Sequence, residues 1–227
     1  MKIKLSVLIL SSFFIWSVSA AQIPVKQKPA IRFAVQAATG FQTLTGTDYW
    51  GENLNNKSTL SYGGGINVIL PLLPDLYIQP GLQIMAKGAK QDIISDDIVK
   101  KVRLNYLEMP VNMLYRPQAG NGHLLVGAGA YAAIGISGTE KTRSDNSTTS
   151  LKVKFLSDAS QEPTEFVYYK AFDSGVNLLL GYEFYSNIFC QLNGQMGILK
   201  INSDYGLPND RTSKKNLGFG LSAGYRF

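Results

Sequence analysis

From Leu217 to Phe227 every second residue is apolar or aromatic. Leu217, Phe219, Leu221, Ala223, Tyr225 and Phe227 alternate with Gly218, Gly220, Ser222, Gly224 and Arg226. A strand sends successive side chains to opposite faces, so this segment carries one greasy face and one small or polar face. The same rhythm recurs upstream, for example at Ile31, Phe33, Val35 and Ala37, at Leu107, Met109, Val111 and Met113, and at Val176, Leu178, Leu180 and Tyr182. It predicts eight strands, near 30–41, 59–70, 76–87, 101–116, 123–137, 170–184, 188–200 and 215–227.

The connections fall into two classes. Pro71–Asp75, Pro117–Gly122 and Tyr185–Asn187 are short and rich in turn formers, whereas Gln42–Ser58, Gly88–Lys100, Gly138–Tyr169 and Ile201–Lys214 are long and polar. Short and long alternate strictly, as they do when neighbouring strands run up and down a closed barrel with one plain end and one elaborate end. The fold class expected is all-β, an eight-stranded antiparallel up-and-down transmembrane β-barrel.

Residues 1–20 read as an address. Lys2 and Lys4 precede an apolar stretch from Leu5 to Trp16, and Val18-Ser19-Ala20 supplies small residues before a cut at Ala20 or Ala21. The division expected is a signal peptide over 1–20 and a barrel domain over 21–227. Without Lys2 and Lys4 the formal charge falls from +6 to +4 and is scattered, so no clustered basic face points to nucleic acid. One cysteine and one histidine exclude an intrachain disulfide and a multi-His zinc site, and no cofactor is expected.

Which face meets lipid decides between a membrane barrel and a soluble one. In a soluble barrel the apolar face points in; in a membrane barrel it points out. The polar set of the strands holds Arg32, Gln36, Asn67, Gln79, Gln83, Glu108, Asn112, Asp173, Asn177, Gln191 and Arg226, with many glycines and few central lysines. That suits the crowded interior of a small barrel, which side chains just fill. Membrane-spanning helices fail, because the longest apolar tract, Leu124–Ile136, has thirteen residues and contains Gly127, Gly129 and Gly135. Glu108, Arg116, Glu183 and Arg226 lie toward the short-turn end and are expected to form one lumenal polar cluster, either a structural plug or part of an ion path. Aromatic girdles are expected from Phe227, Tyr225, Phe184, Tyr182 and Tyr115 at that end, and from Phe41, Tyr62 and Tyr106 at the other.

The chain also resembles a family. Tyr106-Leu107-Glu108-Met109-Pro110-Val111 leads to Leu114-Tyr115-Arg116-Pro117. Asp173-Ser174-Gly175 leads to Gly181-Tyr182-Glu183-Phe184, and the sequence closes on Gly224-Tyr225-Arg226-Phe227. These segments resemble the PorT-like outer-membrane β-barrel domain family of small eight-stranded bacterial barrels, over about residues 25–227. The resemblance implies a bacterial outer-membrane location with both termini periplasmic and outer-membrane lipids as surroundings. It also implies insertion by the β-barrel assembly machinery, whose signal the terminal aromatic segment is similar to. Its members do different jobs, one being a component of a protein-secretion apparatus, so activity does not follow from the fold.

Catalytic readings are weak. His123, the only histidine, opens the fifth strand straight after a short turn and is expected at the rim. Asp92, Asp96 and Asp97 lie among Lys90, Lys100 and Lys101 without the spacing of a calcium loop, and Cys190 falls in the lipid-facing register. No catalytic, cofactor or metal residue is assigned. The expected function is non-enzymatic: a structural or binding protein with a filled lumen, acting through its long loops on an envelope protein or surface ligand, or as part of an envelope assembly. Two other readings stand beside it. One is a secreted lipocalin-like carrier of a small apolar ligand, the other a barrel enzyme that modifies lipid.

Overall fold

The computed structural model of the chain describes residues 30–93, 98–144 and 147–227. The expected signal segment, Asp96, Asp97, and the side chain of Asp92 lie outside the described residues. The strands are β1 (Arg32–Thr47), β2 (Thr59–Leu73), β3 (Leu76–Ile93), β4 (Ile98–Tyr115), β5 (Gln118–Ala119), β6 (Gly122–Ser144), β7 (Ser147–Phe155), β8 (Val167–Tyr169), β9 (Phe172–Glu183), β10 (Ile188–Gly197) and β11 (Ser213–Arg226).

Eight of these, all except β5, β7 and β8, form a ring of antiparallel neighbours in chain order, with β4 beside β6 and β11 closing onto β1. Closure matters because an open edge would leave backbone N–H and C=O groups unpaired, which lipid cannot satisfy. At the closing seam Gly40 pairs with Gly220, and a Cβ on Gly40 would sit 2.3 Å from the Phe219 carbonyl oxygen, so only glycine lets these two strands approach. The tight turns use residues that accept a left-handed backbone: Asp75 (φ 60°), Gly120 (φ 59°) and Asn187 (φ 63°).

The apolar alternate residues point outward. Phe33, Ile66, Met109, Leu178, Leu192 and Phe219 are each more than half exposed, and they sit on different strands around the ring. A continuous apolar belt of this kind on a closed barrel is what a bilayer covers. Its rim near the short turns carries the edge-to-face pairs Tyr182–Phe184 (5.1 Å) and Tyr225–Phe227 (5.0 Å), and Phe41 packs on Phe219 (5.8 Å). Tyr106 does not join the expected outer girdle. It is fully buried and points inward.

The strands run further than the sequence rhythm suggests. β3 and β4 continue to Ile93 and Ile98, and β6 continues to Ser144, where β7 folds back against it. Much of the two expected loops Gly88–Lys100 and Gly138–Tyr169 is therefore paired backbone. The reason is a change of phase. In β4 the exposed apolar residues are Leu107, Met109, Val111 and Met113, yet beyond them the buried apolar residues are Tyr106, Leu104 and Val102. Where a strand leaves lipid, its outer face must turn polar and its inner face can turn apolar, so the alternation inverts.

That inner apolar face is covered. β7 and β8 pair in parallel through Val153–Val167 and Phe155–Tyr169, and this strap is tied to the segment before β11 by Ser203 Oγ donating to the Leu156 carbonyl and by Asp204 N donating to the Ser157 carbonyl (2.9 Å). Val153, Tyr169 and Ile201 pack with Leu44, Leu104 and Tyr106 into a hydrophobic cap across the long-strand end of the lumen.

Candidate functional site

Below the cap the lumen is filled by two charge clusters with a belt of carboxamides between them. Each member is placed by strand parity, since the residues in phase with the small and polar set all point inward.

The first cluster lies at the short-turn end. Glu183, at the end of β9 and 1% exposed, receives three arginines. Arg32 Nη1 donates to Oε1 (2.9 Å), Arg116 donates from Nε to Oε2 (2.9 Å) and from Nη2 to Oε1 (2.8 Å), and Arg226 Nη1 donates to Oε2. Arg226 is fully buried and its guanidinium also lies over the Phe189 ring at 5.0 Å. Asn187 Oδ1 accepts a further bond from Arg32 Nη2 (2.8 Å). One carboxylate on β9 thus organises side chains from β1 and β11 and from the turn after β4, fastening the two ends of the barrel sequence together.

The second cluster lies deeper, under the cap. Lys87 Nζ sits 2.7 Å from Glu108 Oε2 and 3.3 Å from Asp173 Oδ2, with all three side chains fully buried. Tyr131 donates its hydroxyl to Asp173 Oδ2 (3.0 Å), and Asn216 Nδ2 donates to the same oxygen (2.9 Å). The Lys87 ammonium also lies over the Tyr131 ring at 4.1 Å. Glu108 Oε1 accepts from Gln83 Nε2 (2.7 Å) and Gln195 Nε2 (2.8 Å), which joins this cluster to the belt below.

The belt is a chain of amides. Gln36 Nε2 donates to Gln83 Oε1 (3.1 Å), Gln79 Nε2 to Asn67 Oδ1 (3.0 Å), and Gln195 Nε2 to Asn177 Oδ1 (3.1 Å). These side chains surround a cavity of about 90 Å³. Amides and apolar groups both line it, and it is large enough for several waters. An apolar ligand would leave its amides unpaired, so the interior does not fit the lipocalin-like carrier.

Of the four residues expected in one lumenal cluster, the structure brings Arg116, Glu183 and Arg226 together. Glu108 does not join them and belongs to the deeper cluster with Lys87 and Asp173. Parity placed Glu108 inside but says nothing of its height, and β4 carries it across the belt from Arg116, eight residues further along the chain. Lys87 is the residue that sequence reasoning missed. It continues the inward series Tyr77, Gln79, Gln83 of β3, so the signal was its phase, obscured because a lysine near a strand end reads as solvent-exposed. His123 stands at the rim as expected, its Nδ1 3.1 Å from Arg116 Nη2 and therefore an acceptor. His123 and Asp173 belong to different clusters and do not pair with each other. Cys190 is exposed on the outer face.

A family model described as the outer membrane protein beta-barrel domain matches residues 20–203. The chain belongs to this family. It is an outer-membrane β-barrel protein, and its apolar belt is the surface that meets lipid. No curated protein matches the chain. Among solved structures, this family member is similar to the attachment invasion locus protein Ail of Yersinia pestis (11% identity, 86% of this chain and 98% of that one, TM-score 0.37). It is also similar to Neisserial surface protein A (11% identity, 86% and 97%, TM-score 0.44) and to the N-terminal β-barrel domain of Pseudomonas aeruginosa OprF (15% identity, 86% and 97%, TM-score 0.35).

Proposed function

We propose that this outer-membrane barrel is a non-enzymatic binding protein of the PorT-like kind, with both termini periplasmic after signal cleavage and the long-strand end facing outward. The observation that carries the reading is the obstruction of the lumen at both levels, by Glu183 with its three arginines and by Lys87 between Glu108 and Asp173, under the apolar cap. A filled lumen leaves the surface as the place of work. The long-strand end is suited to it, because its segments are held by strand pairing rather than hanging free and so present fixed side chains. Trp50, 66% exposed and packed edge-on against Tyr49 at 4.6 Å, and Leu207 stand out there as exposed anchors of the type that partners bury. The partner is an envelope protein or a surface ligand.

The test is photo-crosslinking in intact cells from single sites at the long-strand end (Trp50, Leu207, Ser150), with Phe33 in the belt as the control. The expected result is a discrete adduct from the first group that the control does not give. Adducts from none of the three sites, with the barrel folded in the membrane, would overturn the reading.

A further inference from the structure

The connections at the long-strand end are not uniform in charge. Segments 48–52, 157–166 and 203–210 hold seven of the chain's sixteen carboxylate side chains and no lysine or arginine, in a sequence whose formal charge is +6. The fold gathers the three. Tyr49 donates its hydroxyl to the Pro208 carbonyl (2.7 Å), and Arg211 N donates to the Tyr49 carbonyl (3.3 Å), which joins the first segment to the third. Ala159 N donates to the Asp204 carbonyl (2.7 Å), and a Cβ on Gly206 would lie 2.9 Å from the Ser160 Cβ, which joins the second to the third.

Backbone N–H groups fix several of these carboxylates in place. Asp48 Oδ1 accepts from Trp50 N (3.0 Å) and Glu52 N (2.9 Å), and Asp204 Oδ1 accepts from Gly206 N (2.9 Å). Asp158 Oδ1 accepts from Ser160 N (3.0 Å), which holds that carboxyl below its usual range. Burial and the charges of Glu162 and Glu165 hold the Tyr168 hydroxyl above its usual range, so the local field is negative. Cations stand at the margins: Arg211 beside Gly51, and Lys200 and Lys214 near Asp210. Among the described residues the carboxylates of this face form no ion pair, whereas the buried Glu108, Glu140, Asp173 and Glu183 are each held by a lysine or arginine.

The same segments expose Tyr49, Trp50, Tyr205 and Leu207. This mixture says what covers the face. Among the described residues no group of three carboxylates comes close enough to hold a metal ion. The negative charges are instead spread over three segments with apolar side chains among them. A compact cation meets one of them. A polypeptide bearing both cations and apolar side chains meets several, its cations taking carboxylates and ring faces and its apolar groups covering Trp50 and Leu207. The strap already seats a cation in this manner, Lys154 over the Phe166 ring at 3.7 Å, next to Glu165 in the chain.

We propose that the face formed by Trp50, Tyr205 and Leu207 with Glu52, Glu165 and Asp204 binds an extended cationic polypeptide segment that also carries apolar side chains. This names the partner chemistry of the binding role given above and rests on that reading.

Trp50 is the one tryptophan outside residues 1–20, so the fluorescence of the mature protein reports this face directly. The protein in neutral maltoside micelles is titrated at low salt with a synthetic peptide of repeating Arg-Gly-Leu. A saturable blue shift of the emission is expected, with affinity about tenfold weaker in Glu52→Gln/Glu165→Gln, a loss within reach of two exposed ion pairs. Glu52→Asp/Glu165→Asp should retain binding, as should Asp75→Asn, a change in a turn at the opposite end. Migration on unheated detergent gels reports that each variant is folded. Unchanged affinity in the glutamine variant overturns the proposal, and so does an equal response to repeating Glu-Gly-Leu or to repeating Arg-Gly-Ser. No response to the Arg-Gly-Leu peptide, with a crosslinked adduct still formed from Trp50 in cells, overturns the cationic chemistry and leaves the binding role standing.

Discussion

Replacing Glu183 with glutamine is expected to lower the stability of the refolded barrel by about 3–5 kcal/mol, the range for removing one partner from a buried ion pair. The carboxylate is 1% exposed and holds Arg32, Arg116 and Arg226, of which Arg226 is wholly buried. Glutamine keeps the volume and one carbonyl acceptor but leaves three cations facing one another. The change also acts on closure, because Arg32 lies at the start of β1 and Arg226 at the end of β11, the two strands that form the seam. The measurement is urea unfolding in detergent, followed by the folded band on unheated gels. Glu183→Gln/Arg226→Gln should recover part of the loss, since it removes one of the stranded charges. A single variant within about 1 kcal/mol of the parent protein would show that the cluster is not what holds the short-turn end.

Lys87→Met is the second large effect, again about 3–5 kcal/mol. Methionine fills much the same space between the rings of Tyr106 and Tyr131, so the change removes charge rather than packing. It leaves Glu108 and Asp173 buried and without their common cation. Adding Asp173→Asn to Lys87→Met should restore more than half of the loss. Glu108 then keeps its bonds from Gln83 and Gln195, while the carboxamide that replaces the Asp173 carboxylate is neutral. A Lys87→Met variant as stable as the parent protein would mean that Lys87 acts by filling space alone.

The two clusters show what the sequence makes legible and what it hides. Parity is a local signal, so eight strands, their order and the inward direction of Glu108, Arg116, Glu183 and Arg226 follow from alternate residues. Height in the barrel is not local. It depends on strand tilt and on the stagger between neighbours, and one slip such as the irregularity at Asn105/Tyr106 shifts every residue beyond it. For that reason the pairing of Arg116 with Glu183 agrees with a reading by ends, while Glu108 falls to a different cluster. The strap was hidden for another reason. Val153, Phe155 and Tyr169 alternate within a stretch rich in lysine, serine and threonine, and their burial depends on Leu44, Leu104 and Ile201 from distant parts of the chain.

The phase inversion along β4 has the same origin. Lipid and water demand opposite outer faces, so a strand that crosses from one to the other loses its rhythm at the boundary between Tyr106 and Leu107. Composition alone, averaging both sides to a mean hydropathy of −0.01, conceals the belt.

The outward direction of the apolar face makes the barrel a membrane protein with a polar lumen. In a Cys190→Ala background, single cysteines at Leu107, Met109, Val111 and Met113 and at the inward positions Asn112 and Gln79 are labelled with a small fluorophore in reconstituted bilayers. Quenching by brominated lipid tails is then measured. A barrel with its apolar belt outward gives strong quenching at the four outward sites and little at the two inward ones, with a period of two along β4. Quenching at the inward sites, or outward sites that react freely with a water-soluble maleimide and escape the lipid quencher, would contradict it.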